Sequence, residues 1–160
     1  MKEKHEEIKE YYGKELSKSE DLKTNACCTM EEPAQHIKVA LSNIHDEVMM
    51  KYYGCGLAIP SKLEGLRILD LGSGSGRDCY ILSQLVGHSG EVIGVDMTDE
   101  QLDVANRYID YHTEKFGYKT SNVKFLKGNI EKLEELDLAE NSFDLIISNC
   151  VINLATDKEK

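Results

Sequence analysis

A chain of 160 residues, 41% of them apolar, has material for one globular core without covalent staples. Its 29 acidic against 19 basic residues leave a formal charge of −10, which repels phosphate backbones and anionic lipid heads and so excludes nucleic acid and membrane surfaces as expected partners. The charged opening MKEKHEEIKE reads as neither secretory leader nor membrane span, so the expected compartment is the reducing cytoplasm, where an odd set of five cysteines (27, 28, 55, 79 and 150) is no disulfide scaffold.

In chain order, residues 2–19 carry Ile8, Tyr11, Tyr12 and Leu16 at helical spacing on a charged background, a thin amphipathic helix that needs a surface to lie on. A polar connector follows from Asp21 to Glu32. Pro33 suits the first turn of a second helix with Ile37, Leu41, Ile44, Val48 and Tyr52 as its apolar stripe, ended by Gly54. After Gly65 the period changes: residues 66–71 form a short apolar run closed by glycine, as expected of a strand buried on both faces of a parallel sheet. Arg77 to Val86 reads as a helix capped by Gly87, and Glu91 to Val95 as a second strand with Asp96 at its carboxyl end. Thr98 and Gln101 have capping-box spacing, and one helical face runs on through Leu102, Ala105, Ile109, His112 and Phe116 to Gly117. His112 on that stripe reads as a satisfied core residue. Asn122 to Leu126 is a third strand, Glu131 to Leu138 a short helix, and Phe143 to Ser148 a fourth strand.

Strand and helix alternate, which predicts an α/β fold: a doubly wound, mainly parallel sheet with helices on both faces, preceded by N-terminal helices. The expected division is residues 1–60 as a helical, cysteine-bearing segment and 61–160 as the first part of a ligand-binding domain. Because the chain stops after the fourth strand, where a crossover helix should begin, a fragment or truncated form is expected.

The chemistry concentrates between the first strand and its helix. Gly72, Ser73, Gly74, Ser75 and Gly76 let the backbone turn tightly and approach a ligand, with helix N–H groups aimed at it. Nicotinamide and flavin sites use a similar device, but here the spacing is Gly-x-Gly-x-Gly. Asp70 just before the loop can face a positive amino group and would repel a pyrophosphate. Asp96, twenty residues past the last glycine, stands where an acid accepts both ribose hydroxyls.

Residues 68–76 with Val95-Asp96-Met97 resemble the first two motifs of class I S-adenosylmethionine-dependent methyltransferases. That resemblance implies S-adenosylmethionine as cofactor and an adenine edge at Gly128-Asn129-Ile130-Glu131, with Asn129 where the family more often has Asp. The segments around Cys27, Cys55, Cys79 and Cys150 resemble, more narrowly, the arsenite methyltransferase family over nearly the whole chain. The resemblance implies methyl transfer from S-adenosylmethionine to trivalent arsenic, as arsenite or its glutathione conjugate, in toxin detoxification. It implies that Cys150 is an arsenic-holding thiolate and that Cys27 with Cys55 form a disulfide re-reduced by thioredoxin or glutathione. It also implies a second arsenic-holding cysteine beyond residue 160. Soft thiolates suit a soft, thiophilic centre and bind only when deprotonated.

Cofactor contacts are expected from Asp70, Gly72, Ser73, Gly74, Gly76, Asp96, Met97, Asn129, Ile130, Asn149 and Tyr53, on a monomeric protein. Asn149 is expected to orient the cofactor or water, and Tyr53 or Tyr52 to cover the methionine end. Plainer readings stand beside these. Tyr52 and Tyr53 can simply pack a helix end, Cys150 can be strand-end packing, Cys27 and Cys55 can be unpaired structural thiols, and Cys79 reads as a buried helix residue. Cys28 has no counterpart in the family pattern. Two further readings of the whole chain are a non-catalytic S-adenosylmethionine-binding fragment and a methyltransferase for another small molecule.

Overall fold

The computed structural model describes residues 2–15, 32–54, 56–57 and 59–155, so Cys27, Cys28 and Cys55 lie outside the described residues. Helix α1 spans Lys2–Glu10 and runs into one π-helical turn, Tyr11–Glu15, with Ile8, Tyr11 and Tyr12 half-buried. Helices α2 (Gln35–Ser42) and α3 (Asp46–Met50) follow, then strand β1 (Arg67–Leu71), helix α4 (Arg77–Val86) and strand β2 (Glu91–Asp96). Helices α5 (Asp99–Arg107) and α6 (Ile109–Lys115) lead to β3 (Val123–Lys127), and a 3-10 turn at Leu133–Glu135 precedes β4 (Leu145–Ser148). Among the described residues no helix is long and apolar enough to cross a membrane.

The four strands form one parallel sheet in the order β3-β2-β1-β4. Leu69 pairs with Ile93 on one side and Ile146 on the other. The chain therefore winds outward from β1 to β2 and β3 and then returns across β1 to add β4. That reversal sets β1 and β4 side by side with their crossovers on opposite faces, which opens a crevice at their carboxyl ends. Asp144 Oδ2 accepts the Arg67 N–H at 2.8 Å and fixes the start of the β1–β4 pair.

Alternation along the strands divides the core. Ile68 and Val92 face a cluster with Val48, Leu63, Tyr80, Ile81, Leu82, Val86, Val104 and Val123, which joins α2, α3, α4 and α5 to the sheet. Leu69, Ile93 and Val95 face the other way, under Leu126, Leu133, Leu136, Leu138 and Phe143. Burying each of these larger side chains contributes about 1.5–3 kcal/mol. Strand β4 is one of the sheet's two edges among the described residues, and Ile146 on it is 57% exposed.

Periodicity overreached at four places, each time because a tertiary contact wins. The helix expected from Pro33 begins at Gln35 and breaks after Ser42. Asn43 there donates to Gln84 Oε1 at 2.8 Å, the His45 N–H donates to His112 Nε2 at 3.1 Å, and His45 Nδ1 caps α3 by accepting from Glu47 N. The long helix after Asp96 breaks at Tyr108, whose ring stacks on His45 and whose hydroxyl donates to Glu47. The expected capping box is not formed: Thr98 is the N-cap without a side-chain bond, and Gln101 donates to the Tyr12 carbonyl instead. The expected helix over Glu131–Leu138 is only the 3-10 turn, extended again from Leu136. A helix would turn Leu136 and Leu138 to different sides, whereas extended backbone lets both cover the sheet. The second face is thus covered by a turn and loop among the described residues. His112 is buried and fully bonded, its Nδ1 2.7 Å from the Tyr108 carbonyl, and burial lowers it to about 4.

Candidate functional site

The crevice is a cleft of about 960 Å3, partly open to solvent, at the carboxyl end of the sheet. The turn from β1 to α4 forms its floor. Gly72 has φ +80°, and a Cβ there would fall 2.3 Å from Val151 Cγ2, so only glycine lets the segment after β4 lie across the loop. Gly76, at φ +87°, meets Phe125 and Ala105 rather than the cleft; it serves helix-to-sheet packing. Asp70, Gly72, Ser73, Gly74, Asp96, Met97, Asn129, Ile130, Asn149, Tyr53 and Cys150 all line the cleft.

Four of the loop's N–H groups are used within the protein. Those of Gly72 and Ser73 both donate to the Val95 carbonyl, at 2.7 and 3.0 Å, and that of Gly76 to the Ser73 carbonyl at 3.0 Å. Gly74 donates to Asp96 Oδ2 at 2.9 Å, and Thr98 to Asp96 Oδ1 at 2.8 Å. A phosphate would find these four loop donors, and that of Thr98, occupied. The cleft is lined instead by the carboxylates of Asp70 and Asp96 and by Ser73 and Gln101, whose side-chain oxygens Oγ and Oε1 are buried without a partner among the described residues. Burial pushes the Asp70 carboxyl up to about 7, helped by the charge of Asp78 and opposed by the Cys79 thiol, which donates to Asp70 Oδ2 at 3.2 Å. Burial also raises Asp96, against the pull of the Thr98 and Gly74 main-chain N–H groups. An acceptor-rich, anionic cleft calls for a ligand that brings donors and positive charge.

Strand β4 delivers the rest. Ser148 Oγ donates to the Leu71 carbonyl at 3.1 Å, and Asn149 Nδ2 donates to Tyr52 Oη at 2.6 Å and to Asp78 Oδ2 at 3.0 Å. Asp78 is held in turn by Arg77, whose Nη2 is 2.7 Å away and whose guanidinium stands over the Tyr52 ring. Cys150 follows, exposed, with φ +60°, a conformation that side chains other than Gly and Asn rarely take. Cys79 is buried under the sheet beside Asp70.

Several lining residues had no functional signal in the sequence. Helix α1 brings His5 and Ile8 to the cleft, and the following turn brings Tyr12, whose ring centroid lies 6.2 Å from that of Tyr53. His5 Nε2 meets Glu131 Oε2 at 2.6 Å, while Asn129 Oδ1 accepts the Glu131 N–H at 2.9 Å. Thr98, Gln101 and Asp78 complete the wall. The unsatisfied stripe Ile8-Tyr11-Tyr12 was the available hint that α1 must cover something.

A parallel sheet with its ligand cleft at the first strand's glycine turn and an acid ending the second strand defines a nucleoside-binding α/β fold. The chain belongs to the family described as a methyltransferase domain, which its residues 62–160 match. Within that class its similarity is to arsenite methyltransferases: 55% identity over 157 residues to that of Rattus norvegicus, and 58% over 155 residues to that of Aquipseudomonas alcaligenes. These alignments cover 98% and 97% of this chain but only 42% and 44% of the two relatives, so the chain spans less than half their length. A crystal structure of an arsenic(III) S-adenosylmethionine methyltransferase from Chlamydomonas reinhardtii superposes with a TM-score of 0.77 at 51% identity, covering 79% of this chain and 42% of that one. The cofactor of this class is S-adenosylmethionine, a cation rich in donors, and the acceptor-lined cleft fits it.

Proposed function

We propose that this chain binds S-adenosylmethionine in the cleft and directs its methyl group to trivalent arsenic held on the Cys150 thiolate. The observation that carries this reading is that an exposed cysteine, held in a left-handed turn, shares one cleft with the glycine loop, Asp70 and Asp96. When bound, S-adenosylmethionine supplies a sulfonium-activated methyl group and leaves as S-adenosylhomocysteine. Asp70, ionised beside a cationic group, holds the methionine ammonium; Asp96 accepts from the ribose; Asn129 and Ile130 edge the adenine, and Met97 packs against it. Tyr53 covers the methionine end. Asn149, its amide nitrogen tied to Tyr52 and Asp78, presents Oδ1 to the ligand.

Cys150 holds arsenic so that its lone pair faces the methyl carbon; the new carbon–arsenic bond forms as the carbon–sulfur bond breaks, and arsenic passes formally from III to V. Its return to III takes two electrons, which a dithiol supplies on becoming a disulfide. In this reading Cys27 and Cys55 do so, with thioredoxin or glutathione restoring them, on a monomeric protein in the cytoplasm. Arsenite and its glutathione conjugates are the substrates.

The test is calorimetric titration of the full chain and its Cys150→Ser variant with arsenite and with S-adenosylmethionine, paired with labelled-methyl transfer in the presence of a thiol reductant. The variant should lose about tenfold or more in arsenite affinity, the scale of response to a disturbed ligand set, and keep its cofactor affinity. Unchanged arsenite affinity would overturn the role of Cys150. Cofactor binding without any methylated arsenic would overturn the transfer and leave the binding site standing.

A further inference from the structure

Cys79 takes no part in the lining of the cleft: it stands in α4, 0% exposed, in the core cluster between helix and sheet. Its thiol nonetheless meets a group that does line the cleft, since Sγ donates to Asp70 Oδ2 at 3.2 Å. Room for the thiol comes from the neighbouring strand. Asp70 pairs with Gly94 of β2, and a Cβ on Gly94 would fall 2.9 Å from Cys79 Sγ and 2.8 Å from Ser73 Oγ. A side chain at position 94 would claim the space in which thiol and carboxylate meet.

A buried cysteine kept only for its volume needs no acceptor, because it packs as a small hydrophobe with a weak donor. Here the acceptor is the one acid of β1. Burial and the Asp70 charge push the Cys79 thiol up, so it stays protonated and donates. A donor bonded to a carboxylate favours its charged form. The charged groups facing Asp70 act in opposite senses: Asp78 on α4 and Asp96 at the end of β2 repel its charge, while Arg77 on α4 attracts it but is paired with Asp78 at 2.7 Å. On the other side, β4 sets the uncharged Ile147 opposite Asp70. Against burial and two like charges, the thiol is the hydrogen-bond donor that favours the ionised carboxylate.

We propose that Cys79 is a positioning residue of the cofactor site: from the core beneath the cleft its thiol grips one oxygen of Asp70 and fixes the carboxylate in the ionised form that receives a cationic group. This rests on the reading that the cleft takes S-adenosylmethionine and that Asp70 meets its ammonium group. Cys79 itself touches no ligand, and it acts only through Asp70.

The experiment is an NMR titration of the full chain carrying isotope-labelled aspartate, the Asp70 carboxyl signal being assigned by its loss in Asp70→Asn, together with calorimetric titration of S-adenosylhomocysteine across neutral pH. Both are repeated on Cys79→Ala and Cys79→Val, which lack the donor, and on Cys79→Ser, which keeps one. The donorless variants should raise the Asp70 midpoint by about 0.5–1 pH unit, the effect of losing one weak donor to a buried carboxylate. S-adenosylhomocysteine should then bind them about three- to tenfold more weakly than the unaltered chain at about pH 6 and within about twofold at about pH 8, because the deficit is one of ionisation. A purely structural role would weaken binding by one factor at every pH and leave the midpoint unmoved; that result in a folded donorless variant overturns the proposal. Serine should bring the midpoint most of the way back, and a serine midpoint as high as alanine's would assign the effect to volume and overturn it equally. If S-adenosylhomocysteine gives no heat with the unaltered chain, the cofactor reading itself has failed, and the carboxyl midpoints still decide whether Cys79 acts on Asp70. Circular dichroism shows which variants fold, and one folded donorless variant suffices.

Discussion

Replacing Gly72 with alanine tests the link between the two halves of the cleft. Two costs act together. The φ of +80° puts an alanine in a region that costs about 1–2 kcal/mol for a residue with a Cβ. The added methyl also falls 2.3 Å from Val151 Cγ2 and 2.8 Å from its Cβ, which forces the β4 turn to move, and such overpacking costs about 1–3 kcal/mol. Stiffening of the unfolded chain returns about 0.4–1 kcal/mol. A net loss of about 1–4.6 kcal/mol follows, a fall in Tm of roughly 2–18 °C at 2–4 °C per kcal/mol for a domain of this size. Because Val151 adjoins Cys150, the displacement should weaken arsenite binding as well as cofactor binding. Adding Val151→Ala removes the two Cγ contacts and leaves the φ cost and the 2.8 Å approach to Cβ, so the double variant should regain part of that overpacking cost, about 1–2 kcal/mol, relative to simple additivity. Urea unfolding of the four proteins in this cycle measures the coupling. A coupling energy near zero, or a single-variant loss under about 0.5 kcal/mol, would refute the claim that Val151 is seated on Gly72.

Two further expectations follow from the buried charges. Asp70 binds its proton more tightly folded than unfolded, because its carboxyl rises from 3.8 to about 7. Its burden on stability is therefore absent below pH 4 and grows as pH rises to 7, reaching about 4 kcal/mol at about 1.4 kcal/mol per pH unit. Asp70→Asn should flatten that slope and stabilise the unliganded chain at pH 8 while weakening cofactor binding; an unchanged slope in urea unfolding between pH 4 and 8 would count against the burial of the charge. Arg77→Met removes the partner of Asp78 in a pair whose side chains are 10% and 6% exposed, and should cost about 3–5 kcal/mol of stability in the same assay; a loss below about 1 kcal/mol would show the pair to be solvated.

The parts of the fold read correctly in the sequence were those whose chemistry is local. The turn from β1 to α4, the strands and the position of Asp96 follow from short apolar runs, glycine spacing and an acid at a strand's end. The breaks did not, since Asn43, His45 and Tyr108 are ordinary helix residues whose partners Gln84, His112 and Glu47 stand 41, 67 and 61 positions away. The same holds for Leu136 and Leu138, whose extended form answers to the sheet face beneath them rather than to their neighbours in sequence. Within the cleft, the glycine motif and both acids were legible, while the role of the N-terminal segment was not: nothing in MKEKHEEIKEYY says that His5 will meet Glu131 or that the Tyr12 carbonyl will accept from Gln101.

The least legible feature decides what the cleft can accept. A glycine-rich turn before a helix suggests main-chain donors poised for an anion, and in phosphate-binding loops that is what it supplies. Here Val95 takes the N–H groups of Gly72 and Ser73, and Asp96 takes that of Gly74, so the same turn presents oxygens. Asp96 thus takes up one of the donors that a phosphate would need, and the Val95 carbonyl two others. The loop's own hydrogen bonds thus favour a ligand that brings donors over one that needs them.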